Sequence, residues 1–184
     1  MAKNILVITG SARPEGNSML LAKAFIRGAR KNGNAVRRFD AATKLISPCR
    51  GCNRCWSKGK PCIVDDAFNQ VAPYLHVSHI IVFATPLYWF NFSSPVKAFI
   101  DKLYAYFSDA RKRDLRITQS ILIAAGASKE EDAFDLLKEN YLKIADTLNW
   151  ENIAMITVGG VENIHDVDKL DAIKEAYELG KSIE

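Results

Sequence analysis

Long apolar runs are missing from this chain: none approaches the ~18 residues that suggest a membrane-spanning helix. Its first segment, MAKNILVITG, turns too promptly for a secretory signal. A soluble, cytoplasmic protein with no membrane partner is expected. Histidine is scarce, at three residues. His76 ends an expected helix, His79 begins an expected strand and His165 lies near a helix start. None has an evident metal or nucleophile partner, so structural roles are expected for all three. Charge of one sign is lacking too. The chain has 25 Lys and Arg against 21 Asp and Glu, a net +4, and no basic stripe interleaved with aromatics, so nucleic acid is not an expected partner. The basic residues gather at Arg27–Arg38 and Arg111–Arg116. They read as solvated helix ends and loops, or as attraction for an anionic ligand. Cysteine is absent outside positions 49 to 62. A disulfide is not expected in a cytosolic protein, so that clustering needs another explanation.

What is present is a regular alternation of apolar runs and helical patterns. Asn4–Thr9 (NILVIT) is a short β-branched run of the kind that forms buried parallel strands. Asn17 or Ser18 is the expected cap of an amphipathic helix to about Lys31, with Leu20, Leu21, Ala24 and Phe25 on one face. Ala35–Phe39 reads as an edge-like strand. Asp65-Asp66 opens a helix to Val77, acidic at its positive end. His79–Ala84 is a central strand, and Pro95 suits the first residue of a helix reaching Phe107. Ile117–Ala124 is a fourth strand and Glu130–Asn149 a long helix; Ile153–Val158 is a fifth strand and His165–Ile183 a closing helix. No break in composition divides residues 1–184, so one α/β domain is expected, a parallel sheet covered by helices on both faces. Five strands suit the flavodoxin-like three-layer sandwich of order 2-1-3-4-5, whose ligands bind at the carboxyl ends of the strands.

The segments that follow strands therefore matter most. After the first strand comes Gly10-Ser11-Ala12-Arg13-Pro14-Glu15-Gly16-Asn17-Ser18. Gly10 and Gly16 permit tight, φ-positive turns, while Ser11, Arg13, Asn17 and Ser18 supply donors beside the open N–H groups of a helix start. Together they suit a phosphate. The segment is neither a Walker loop nor a GxGxxG fingerprint, and no nucleophilic Cys or Asp sits in it, as a phosphatase would need. An ordinary strand–helix turn is the plain alternative. After the third strand, Thr85-Pro86-Leu87-Tyr88-Trp89-Phe90-Asn91-Phe92 carries four aromatics at the expected ligand edge. These suit stacking on a flat ring, or sealing of the core or of a subunit interface. After the fourth strand, Ala124-Ala125-Gly126-Ala127-Ser128 is small enough for close backbone approach.

Cys49, Cys52, Cys55 and Cys62 form C-x2-C-x2-C-x6-C within a Gly-, Pro- and Lys-rich loop over 48–63. Four thiolates at such steps suit a [4Fe–4S] cluster. Structural zinc usually separates its cysteine pairs by a longer stretch. A cluster, cluster-free thiols and zinc all stay open at this point.

The combination GSARPEGNS, TPLYWFNFSSPVKAFIDK and AAGAS resembles the NADPH-dependent FMN reductase and iron–sulfur flavoprotein group of flavodoxin-like proteins. The likeness runs from the first strand to the AAGAS turn. It implies FMN phosphate at Ser11, Arg13, Asn17 and Ser18, and isoalloxazine contacts at Pro86, Leu87, Tyr88, Trp89 and Gly126; Gly16 and Ala125 complete the candidate set. The cysteine motif followed by Ile-Val-Asp-Asp is similar to that of the iron–sulfur flavoproteins. Lys102 departs from the group, where Arg usually follows the Asp, and a packing or salt-bridge role is expected for it.

The expected activity is flavin-dependent redox chemistry with a small-molecule electron acceptor. Ferredoxin is the expected donor if a cluster is present. Without one, NAD(P)H would be the co-substrate of an FMN or quinone reductase. No residue is expected to act as a catalytic nucleophile. A non-catalytic electron carrier or redox sensor is the reading from another class; carriers of this fold are usually acidic, and this chain is mildly basic. The resemblance implies a homodimer or homotetramer, and the aromatic segment 88–92 would leave an apolar patch on a monomer.

Overall fold

The computed structural model describes residues 2–107, 113 and 115–184. Of the second basic cluster, residues 111, 112 and 114 lie outside the described residues. The strands are β1 (Asn4–Thr9), β2 (Ala35–Asp40), β3 (Ile80–Tyr88), β4 (Asn91–Phe92), β5 (Gln119–Ala125) and β6 (Glu151–Val158). The helices are α1 (Asn17–Lys31), α2 (Ala67–Val77), α3 (Ser94–Lys102), α4 (Tyr104–Phe107), α5 (Asp135–Thr147) and α6 (Ala172–Lys181).

Five strands run parallel in the order β2-β1-β3-β5-β6. Counted among the parallel strands alone, this is the order expected. The difference is a sixth strand: β4 folds back antiparallel on β3, pairing Leu87 with Phe92 and Tyr88 with Asn91. The aromatic segment expected as a loop is therefore mostly a hairpin. Aromatic residues favour a pleated, half-buried surface, so β3 runs on through Tyr88. Trp89 and Phe90 make the turn with φ of 48° and 61°, the positive values that two-residue hairpin turns require.

Two core layers sandwich the sheet. One buries Leu6, Ile8, Phe83 and Leu122 with Phe68 of α2, Phe99 of α3 and Tyr141 of α5. The other buries Ile5, Val7, Val82 and Ile123 with Phe25 of α1 and Ala176 of α6. Side chains alternate between these faces along each strand, so the β-branched runs are buried on both sides. α1 and α6 approach closely because each has a glycine at the crossing. A Cβ on Gly28 would lie 1.9 Å from the Tyr177 carbonyl oxygen, and one on Gly180 would lie 2.1 Å from that of Phe25.

Three helices are shorter than their patterns suggest. The Pro95 helix breaks at Leu103, whose N–H turns to Ile100 O in a tighter i−3 bond. α5 begins at Asp135 after turns rather than at Glu130. The last segment splits into a 3-10 turn over Asp166–Lys169 and α6, because His165 is left-handed (φ 67°) and Leu170 is extended. No helix among the described residues is long and apolar enough to cross a membrane.

Candidate functional site

Three strand-end segments are locked together before any ligand is considered. Gly10 N–H donates to Ala84 O at 2.8 Å, joining the end of β1 to the middle of β3. The buried Ser93 hydroxyl donates to Gly10 O at 3.1 Å, and Ser93 N–H donates to Thr85 Oγ1 at 3.0 Å. A Cβ on Gly10 would sit 2.3 Å from Ser93 Oγ, so only glycine fits this junction. Across the sheet, Gly126 N–H donates to Val158 O and Val161 N–H returns to Gly126 O, joining the ends of β5 and β6.

These segments enclose a cleft of about 270 Å³. Ser11, Arg13, Gly16, Asn17 and Ser18 line one side. Pro86, Leu87, Tyr88, Ala125 and Gly126 line the other, with Ala127, Val161 and Glu162. The loop holds its own shape: Arg13 N–H donates to Ser11 Oγ at 3.1 Å and Gly16 N–H donates to Arg13 O at 3.1 Å. Gly16, rather than Asn17 or Ser18, is the N-cap of α1. It is extended, at φ −66°, instead of taking the positive φ expected, because a residue that leads into a helix from outside keeps strand-like backbone. It has no side chain to offer, and no acidic residue occupies the first turn. The first N–H groups of α1 therefore keep their capacity for an anion. The Asn17 side chain is already committed. Its amide donates to Asn163 O at 2.8 Å and its oxygen accepts from Val167 N–H at 3.1 Å, so it ties α1 to the segment after β6. Arg13 reaches Glu162 O through a long 3.4 Å contact.

A third tie lies on the rim. His165 stands between Asp168, 2.7 Å from Nδ1, and Glu15, 3.1 Å from Nε2. Hydrogen bonding to Asp168 first, then to Glu15, raises its pKa above the usual imidazole value. Asp166 accepts from the N–H groups of Asn163 (2.7 Å) and Glu162 (3.1 Å). Those bonds, Asn163 foremost, hold its carboxyl below the usual range.

The cysteines form a separate place. All four line one small cavity of about 30 Å³ with Pro48, Pro61, Ile63, Val64, Lys102 and Tyr104, room for little more than a water molecule. Cys49 and Cys52 are exposed, and Cys55 and Cys62 half-buried. Among the described residues, no group of three or more His, Cys, Asp or Glu side chains is placed to hold a metal ion. Two side chains at the start of α2 grip the loop's stems. Asp66 accepts from Ser47 N–H at 2.8 Å while capping α2 through Phe68 N–H. Asn69 accepts from Cys62 N–H at 3.0 Å and donates to the carbonyls of Cys62 and Val64. Lys102, buried in the cavity wall, forms an ion pair with Asp66, the salt bridge expected for it. Cleft and cysteines sit at opposite ends of α3: Ser93, its N-cap, touches Gly10, and Lys102, its last residue, lines the cysteine cavity.

Residues 3–179 match the family of flavodoxin-like fold. The chain belongs to that flavodoxin-like family. It is 28% identical over 125 residues to an iron-sulfur flavoprotein of Archaeoglobus fulgidus, covering 68% of this chain and 56% of that one. It is 30% identical over 131 residues to an iron-sulfur flavoprotein of Methanocaldococcus jannaschii, covering 68% and 63%. The matches thus span less than two thirds of those relatives. Its fold is also that of the NAD(P)H:quinone oxidoreductase from Methanothermobacter marburgensis, with a TM-score of 0.81, 15% identity and coverage of 100% and 97%.

In this flavodoxin-like domain all the residues singled out for FMN line the cleft except Trp89. The positive-φ turn carries Trp89 past the end of β3, where it is 92% exposed and lines an open groove with Phe90. Val161 and Glu162 were not foreseen. The signal was Gly159-Gly160 directly after Val158, the same strand-then-glycine pattern as at the end of β1. His79 has the structural role expected, its Nδ1 accepting from Asn4 N–H. His165 has carboxylate partners that its local sequence did not reveal.

Proposed function

We propose that the chain is an FMN-dependent oxidoreductase. In this reading it passes electrons from ferredoxin or NAD(P)H to a small acceptor, and Cys49, Cys52, Cys55 and Cys62 hold a [4Fe–4S] cluster. The observation that carries the reading is the single cleft where the ends of β1, β3, β5 and β6 meet the uncapped start of α1. Its donor set suits a phosphate at one end: Arg13, the Ser18 hydroxyl and the open N–H groups of α1, with the Ser11 hydroxyl available once it leaves Arg13 O, to which it donates at 3.2 Å. Pro86, Leu87 and Tyr88 suit a flat ring at the other. There Gly126 keeps the wall close, since a Cβ would lie 3.0 Å from Leu87 Cβ. Bound FMN would supply the hydride and single-electron chemistry. The chain's residues do the rest. Arg13 neutralises and orients the phosphate, Thr85 and Ser93 hold the Pro86–Tyr88 wall in register with Gly10, and no side chain is given a nucleophile's role.

The relatives named iron-sulfur flavoproteins support the cysteine assignment, as does the gathering of all four cysteines around one cavity. The loop must widen to bring all four onto iron, as metal sites that couple to folding do. A second reading is a cluster-free NAD(P)H-dependent FMN or quinone reductase, favoured by the absence of a ready ligand group among the described residues. We also assign the active unit to a homodimer or homotetramer. A cleft of about 270 Å³ falls just under the ~300–1,000 Å³ typical of small-molecule sites, and the exposed Tyr88, Trp89 and Phe90 lie at or beyond its rim.

The test is protein purified without air, assayed for FMN, iron and sulfide, then given NADPH and reduced ferredoxin in turn. Bound FMN with about four iron per chain and repeated turnover supports the leading reading. FMN and turnover without iron after reconstitution leaves the second. Failure to bind FMN overturns both.

A further inference from the structure

The outer edge of the sheet is built for contact and has no part in the cleft. β2 is a terminal strand, paired on one side with β1. Ala35 N–H donates to Lys3 O on that side, so the alternation of a parallel ladder turns the polar groups of Val36 and Arg38 outward. An open groove of about 830 Å³ follows this edge between α1 and α2. Lys23, Arg27 and Arg30 of α1 line it at helical spacing, with Arg37 and Arg38 of β2 itself. Asp40 is the one acid among the described residues lining it, and Arg38 already holds it at 2.8 Å. Ile5, Ile26, Val36 and Val77 give the groove an apolar floor.

The cations sit on both sides of the edge. Val36 packs on the core layer beneath α1, so Arg38 shares that face. Arg37 points to the opposite face, its guanidinium 4.5 Å from the centre of the Tyr74 ring on α2. At rest Arg30 covers part of the edge, donating to Val36 O at 3.2 Å, a contact that an arriving strand would replace.

We propose that this edge docks an acidic, extended segment of another protein, added as a strand beside β2. Main-chain hydrogen bonds to Val36 and Arg38 would give affinity. Alternate carboxylates would meet the α1 cations on one face and Arg37 on the other. Nucleic acid fits less well, because Tyr74, the one aromatic among the described residues lining the groove, already has the Arg37 guanidinium over its ring, a contact that a stacking base would have to displace. This inference does not depend on what the cleft holds.

The experiment is fluorescence anisotropy with the full chain. The probes are a labelled peptide of about twelve residues alternating Glu with Val or Thr, the same peptide with prolines in place of alternate residues, and a labelled single-stranded oligonucleotide. The alternating peptide should bind in a salt-sensitive way. Arg27→Glu with Arg37→Glu, both at exposed positions, should weaken it at least about tenfold, as close charge pairs at interfaces do. Val36→Pro should weaken it similarly, because it removes an outward N–H and leaves the β1 ladder intact; an unchanged melting temperature would confirm that the fold persists. Absence of peptide binding would mean that the cations only guard an open edge. Equal binding by the proline peptide, or tighter binding of the oligonucleotide, would overturn the proposal as well.

Discussion

Arg13 is the one cation among the described residues lining the cleft, and its 3.4 Å contact with Glu162 O is weak enough to leave it available to an anion. Arg13→Ala with Ser18→Ala removes a charged donor and a hydroxyl from the proposed phosphate end. One hydrogen bond to a charged group contributes about 1.5–3 kcal/mol, so with two donors removed FMN affinity should fall by at least roughly tenfold to a hundredfold by calorimetric titration. Unchanged affinity would remove the phosphate from this loop. His165 makes a different prediction. Its raised pKa means that the tie to Glu15 and Asp168 contributes fully below about pH 6.5 and is lost as pH rises through the higher folded value. His165→Asn tests this without disturbing the left-handed backbone, which Asn tolerates. The melting-temperature gap between wild type and variant should be largest in mild acid and should close as the pH rises. A gap that widens with pH would show that the tie does not depend on imidazolium.

Among the elements, α1 and α6 are the pair most sensitive to a single atom. Gly28→Ala would place Cβ 1.9 Å from the Tyr177 carbonyl oxygen, so the helices must separate. Overpacking of this kind costs roughly 1–3 kcal/mol, and against backbone the upper end is expected, with a drop in melting temperature of about 6–12 °C. A shift within about 1 °C would mean that the helices part freely. The cysteine loop is the other element with a measurable signature. Cys52→Ser with Cys55→Ser should abolish iron uptake on anaerobic reconstitution while leaving FMN affinity unchanged, because the loop and the cleft flank opposite ends of α3. Element existence was legible from apolar periodicity, but several ends were not. Leu103 is itself helical and ends α3 through its i−3 bond to Ile100 O, and the extended Leu170 separates the 3-10 turn from α6. β3 runs past Ala84 because Tyr88 finds a partner in Asn91.

At the scale of the whole molecule, exposed rings gather on one corner. Trp89 is 92% exposed, with Phe90 beside it and Leu136 and Leu142 of α5 across an open groove. Exposed apolar patches of this kind mark interaction surfaces, and a second copy is the proposed occupant. Light scattering should find a dimer or tetramer for the wild type and a smaller species for Trp89→Ser with Phe90→Ser. A wild-type monomer that is fully active at micromolar concentration would defeat the assignment.

The β-branched runs, the helical patterns between them and the glycine- and serine-rich turn after Thr9 determined the sandwich, the order of its parallel strands and most of the cleft. They could do so because crossover handedness and strand-end chemistry follow from patterns a few residues long. What only the tertiary structure decided are partnerships between distant residues. Asn17 is consumed by Asn163 and Val167, Glu15 meets a histidine 150 positions away, and Asp66 is held by Lys102. Whether a polar side chain faces a ligand or a neighbour depends on which groups packing brings within about 3 Å, and no local pattern carries that distance.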